Sequence, residues 1–124
     1  MPAYSLPAGG AIPGPWVDVV FWWSGQSRPT RGILDTGADY TQVPESIAQA
    51  LRLRPTGHQT FLSANNARTT SRLYLVDVEF DGLSFPQIEV VGSPLPVALI
   101  GRDILNTLVA KFDGPAQDYS LDPS

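Results

Sequence analysis

The chain has 124 residues, enough for one domain built on a single core and too few for a second. A net charge of −4 and a single lysine, Lys111, leave no basic field to hold phosphates, which argues against nucleic acid. The absence of Cys excludes disulfides, thiolate catalysis and Cys-ligated zinc. No apolar run approaches membrane-spanning length and no Lys or Arg precedes Arg28, so neither a membrane partner nor a secretory leader is expected, and the cytoplasm is the default compartment.

With 11 Gly and 12 Pro, the chain favours many short elements joined by turns, which points to β structure. Residues 1–15, punctuated by Pro2, Pro7, Pro13 and Pro15 with Gly9, Gly10 and Gly14, read as an arm preceding a domain at 16–124. Its apolar Tyr4, Leu6 and Ile12 are either a frayed end or a contact for a partner subunit. Residues 16–23 read as a strand with Val17, Val19, Phe21 and Trp23 on one face and Asp18 on the other. A Gly-containing loop at 24–29 precedes a return strand at 30–34, which delivers the chain into Asp35.

Downstream, 40–43 reads as extended and 44–53 as a short helix. Pro44 takes the first helical position, Glu45 the first turn, and Arg52 and Arg54 the last. Residues 60–63 and 69–74 form a hairpin around the polar tip at 64–68. From Leu73 the alternation is clean, with Tyr74, Val76, Val78 and Phe80 on the core face and Asp77 and Glu79 on the wet one. Asp81-Gly82 turns the chain into a strand at 85–91, where Pro86 marks an edge or a strand start. A buried-type run at 96–100 leads to Gly101 and a helical turn at 102–106, then strands at 108–112 and 119–121.

Two apolar runs thus end in small residues, Leu34 before Asp35 and Ile100 before Gly101. Such strands can lie side by side, the second bracing the loop of the first. Asp39 and Arg102 follow the two strand ends. By residue type alone they are either an Arg fork on a carboxylate or two solvated surface charges. Asp35-Thr36-Gly37 suits an acid held for chemistry, because a Gly at that point lets backbone N–H groups approach the carboxylate.

Leu34-Asp35-Thr36-Gly37-Ala38-Asp39, followed downstream by Leu99-Ile100-Gly101-Arg102-Asp103-Ile104-Leu105, resembles the retropepsin-like aspartic proteases, the retroviral-type peptidases and their cellular and bacterial relatives. The resemblance spans about residues 16–112, and the hairpin at 60–74 falls where that family carries its flap. It implies an all-β, small closed barrel with a flap hairpin and one or two short helices, and a homodimer in which each chain supplies one Asp. On this reading Asp35 is the catalytic acid, Thr36 bonds across the twofold axis, Gly37 receives substrate backbone, and Asp39 pairs with Arg102. The activity implied is peptide-bond hydrolysis of a peptide or protein substrate without metal or cofactor.

A cleft for an extended peptide would be walled by Ala38, Asp39, Tyr40 and Val43, by Ser63, Ala64, Asn65, Asn66 and Ala67 of the hairpin, and by Val97, Ala98, Leu99 and Ile100. The tip at 64–67 has no Gly, unlike viral flaps, and this supports a rival reading as a catalytically weak or inactive peptide-binding or dimerisation module. A third reading is the protease segment of a retroelement polyprotein, against which Met1 and the self-contained length argue. The remaining candidates have bland readings: His58 as a loop residue, Trp16, Trp22 and Trp23 as core or interface, Asp77 and Glu79 as a solvated face, and Asp103 as a helix-start charge.

Overall fold

The structure, a computed structural model, describes residues 3–4, 14–62 and 65–123. In chain order its elements are β1 (Trp16–Trp23), β2 (Gln26–Leu34), β3 (Gln42–Pro44), α1 (Glu45–Ala50), β4 (Pro55–Leu62), β5 (Arg68–Phe80), β6 (Leu83–Ser93), β7 (Ala98–Ile100), α2 (Arg102–Leu105), β8 (Leu108–Asp113) and β9 (Asp118–Pro123). Strand order β1-β2-β7-β3-β6-β5 closes on itself through a β1–β5 pairing, making a six-stranded barrel with β4 attached outside it along β5. Strands β8 and β9 form a separate hairpin. Among the described residues no helix is long and apolar enough to cross a membrane.

The period-two pattern sets the barrel interior. Val19 and Phe21 of β1, Val76 and Val78 of β5, Val90 of β6 and Ile100 of β7 are almost wholly removed from water, each contributing about 1.5–3 kcal/mol. Tight turns set the register. Ser24 and Gly25 (φ 51° and 77°) close β1–β2, and Asp81 and Gly82 (φ 51° and 73°) close β5–β6; both central residues of each turn are left-handed, as a type I′ hairpin turn requires.

The elements depart from expectation in places, each for a local reason. The β1–β2 connection is two residues long, so Pro29 lies within β2, on a stretch paired only with β1, where its missing N–H breaks no ladder. Helix α1 ends at Ala50 because Arg52 turns left-handed (φ 55°), with Arg52 N–H donating to Gln49 O (3.0 Å) and Leu53 N–H to Ala48 O (2.9 Å), a Schellman close. Pro44 ends β3 and caps the helix instead of opening it. Strand β4 begins at Pro55, five residues earlier than its β-prone stretch.

In β6, Pro86 sits at an irregularity: the pairing slips between Val76 and Val78, Gln87 is left-handed (φ 52°), and its N–H donates to Asp77 Oδ1 (2.9 Å). At the amino end Ala3 bridges Asp118, Tyr4 N–H donates to Gln117 O (2.6 Å), and the Tyr4 ring lies 6.4 Å from that of Tyr119. Tyr4 therefore packs on its own chain. Leu6 and Ile12 lie outside the described residues.

Candidate active site

β2 and β7 run parallel in register, Gly32 beside Ala98, Ile33 beside Leu99 and Leu34 beside Ile100, so both apolar runs end at the same level of the barrel. Just past that level Asp35 N–H donates to Ile100 O (2.9 Å), extending the ladder one residue into the loop. Asp35 is half-buried, while Thr36 and Gly37 are exposed. Gly37 N–H donates to Asp35 Oδ1 (2.8 Å) and Ala38 N–H to Asp35 O (3.3 Å), a tight turn that orients the carboxylate with a backbone dipole.

The loop is held from below by the chain that follows β7. Arg102 N–H donates to Ala38 O (2.8 Å) and Asp103 N–H to Asp39 O (3.2 Å). The Arg102 guanidinium pairs with Asp39 Oδ1 and donates from its other arm to Thr36 O (3.4 Å). Gly101 passes so close beneath that a Cβ there would stand 2.6 Å from the Tyr40 carbonyl carbon, so only Gly fits.

Asp103 does more than start a helix. It accepts from Thr41 N–H (3.0 Å), the Thr41 hydroxyl (2.8 Å) and its own neighbour Ile104 N–H (2.8 Å). Buried Thr41 Oγ1 accepts in turn from Gly101 N–H (3.2 Å). Thr41 and the role of Asp103 escaped the sequence reading because nothing local marks a contact across 62 residues.

Of the expected cleft walls, Ala38, Asp39 and Tyr40 do come together. With Gln42, Phe61 and Val91 they line a hollow of about 160 Å³. Tyr40 and Phe61 meet edge to face, ring centroids 6.3 Å apart, which joins the Asp35 loop to the β4–β5 hairpin. A second hollow of about 130 Å³ lies next to it, lined by Gln42, Phe61, Ser71 and Val91 with Gly92, Ser93 and Pro94.

Val43, Ala98 and Ile100 are corrected: all three are fully buried, because their strands turn these side chains into the core. Val97 and Leu99 stay partly exposed but line neither hollow. Asn65, Asn66 and Ala67 are exposed at the hairpin tip, with Ala67 N–H donating to Asn65 Oδ1 (3.1 Å); Ser63 and Ala64 lie outside the described residues. Gln42, Phe61 and Val91 were missed, since one aromatic in a polar hairpin carries no signal of what it faces. Among the described residues no group of His, Asp and Glu could hold a metal ion.

Residues 19–104 match the family model described as aspartyl protease. Three solved structures share the fold. EIAV protease, complexed with the inhibitor HBY-793, is 21% identical with a TM-score of 0.59, over 75% of this chain and 86% of that one. Simian foamy virus (mac) protease is 19% identical with a TM-score of 0.56, over 73% and 91%. The foamy viral protease-reverse transcriptase, in complex with an RNA/DNA hybrid, is 20% identical with a TM-score of 0.55, over 74% of this chain and 12% of that one. No curated protein matches the sequence. With a family match across most of its length, on a retropepsin-like barrel, the chain belongs to the aspartyl protease family.

Proposed function

We propose that the chain is an aspartic endopeptidase that works as a homodimer, with Asp35 from each of two copies meeting on the twofold axis. One observation carries this reading: a single Asp-Thr-Gly per chain, its carboxylate oriented by Gly37 N–H and its loop tied to β7 and α2. One such loop is half a site, and C2 pairing completes it.

Peptide hydrolysis needs a base for water and an acid for the carbonyl. Two carboxyls sharing one proton, the known arrangement in aspartic proteases, supply both. The ionised Asp35 takes a proton from water as its oxygen attacks the scissile carbonyl, and the protonated Asp35 gives its proton to the carbonyl oxygen. Collapse of the tetrahedral diol, with proton transfer to the amide nitrogen, releases the two products. Thr36 ties the two loops together and Gly37 offers its backbone to substrate. The peptide lies extended between the Asp35 loop and the β4–β5 hairpin, which serves as the flap with Asn65, Asn66 and Ala67 at its tip. Ala38, Asp39 and Tyr40, with Phe61, shape the side-chain pocket.

Asp35→Asn tests the proposal. Cleavage of a peptide library should fall by at least ~10²–10⁴-fold while dimer mass in solution is retained. Wild-type protein that pairs but cuts nothing between about pH 3 and 7 would instead be a peptide-binding module, the reading the Gly-free hairpin tip favours.

A further inference from the structure

Two features of the sequence left idle by the peptidase chemistry, the Trp22-Trp23 pair and the Asp77/Glu79 pair, come together in space. At the β1–β2 turn a hollow of about 440 Å³ is lined by Trp22, Trp23, Asp77, Glu79, Phe85 and Pro86. It sits at the start of β2, eight residue steps from Leu34, which at ~3.3 Å per residue puts it roughly 25 Å from Asp35.

Its chemistry is specific. Trp22 is 39% exposed, and it stands directly opposite Asp77 on the paired strands, with Val20 opposite Glu79. Asp77 spends one oxygen on Gln87 N–H, which fixes the carboxylate. Phe85 is anchored by stacking on Phe80 (5.3 Å, 22°). Among the described residues, Arg31 pairs with Asp18 and Arg102 with Asp39, and neither pair involves Asp77 or Glu79. Arg52 and Arg54 line a different hollow, which shares only Trp23 with this one.

We infer that this hollow docks a basic segment of another polypeptide, seating an arginine side chain with its guanidinium between the Trp22 indole and the Asp77 and Glu79 carboxylates. Two like charges on one strand face are relieved by a cation, an indole face attracts one, and apolar walls from Trp23, Phe85 and Pro86 suit the methylene stem. A sugar would also stack on the indole but would leave both charges uncompensated. The inference does not depend on peptide cleavage, because the hollow and the Asp35 loop share no residue.

The test is titration of wild-type protein with a blocked pentapeptide carrying one central arginine, read by the Trp22 indole N–H resonance and tryptophan fluorescence. Binding should weaken about tenfold when arginine is replaced by citrulline, which keeps the shape and removes the charge. It should weaken comparably in Glu79→Gln, a change that touches no hydrogen bond holding the bulge, and in rising salt. Equal binding of the citrulline peptide overturns the inference even if no variant folds. So does unchanged affinity in a folded Glu79→Gln, or a Trp22 response to a neutral oligosaccharide and none to the arginine peptide.

Discussion

Thr41 and Asp103 are joined twice, backbone N–H and hydroxyl each donating to a separate oxygen of one carboxylate, at 3.0 and 2.8 Å. The clasp links the end of the Asp35 loop to the helix that braces it, and the same Thr41 oxygen accepts from Gly101 N–H. Thr41→Val keeps the shape but strands the buried Gly101 N–H, while Asp103 Oδ1 loses the hydroxyl and keeps Ile104 N–H. The stranded N–H costs about 1–3 kcal/mol, so the denaturant midpoint should fall with an unchanged m value.

Gly101→Ala places a methyl within 2.6 Å of the Tyr40 backbone, which cannot swing aside as a flexible side chain would. Overpacking of this kind costs about 1–3 kcal/mol. The expected result is lower thermal stability together with shifted amide resonances at Asp39 and Tyr40, because relief can only come from moving their loop.

Arg52 closes helix α1 in the left-handed region usually held by Gly. Arg52→Gly removes that strain and should raise stability by about 0.5–1 kcal/mol, measured by chemical denaturation. A loss would mean that the Arg52 side chain contributes more than its backbone costs.

Alkaline stability rests on two phenols. Burial, followed by the Asp81 carboxylate beside it, raises the pKa of Tyr119, and burial, followed by the hydrogen bond to Glu45 (2.7 Å), raises that of Tyr74, both from an ordinary value of 10.0. The folded chain thus keeps protons that the unfolded chain gives up. The stabilisation is fully present below about pH 10 and is lost as pH rises above it. Denaturation midpoints should be level from pH 7 to 9 and drop beyond 10, and Tyr119→Phe should flatten the drop.

Much of the barrel was legible because burial on one face imposes a period of two. Val17, Val19 and Phe21, and again Tyr74, Val76, Val78 and Phe80, announce their strands and their inward faces. The paired endings at Leu34 and Ile100 are legible for the same reason, and the parallel register places them together. What sequence could not express was side-chain destination. Val43, Ala98 and Ile100 look like cleft walls by proximity to Asp35, yet each points into the core. Phe61 sits in a strand whose polar start at Pro55 gives no alternation, so its meeting with Tyr40 depends on how the hairpin folds over the loop. Asp103 and Thr41 are ordinary polar residues until tertiary structure brings them into contact.

Strand β4 stands outside the closed ring, hydrogen-bonded along β5 alone. Every strand of the ring is gripped on two sides, so detaching one breaches the core, whereas β4 can peel away and leave the barrel shut. Backbone amides of residues 56–62 in β4 should therefore exchange with deuterium by a local route, well before those of β1 or the second half of β5. One hydrogen-bonded seam is all that has to unzip for β4 to leave.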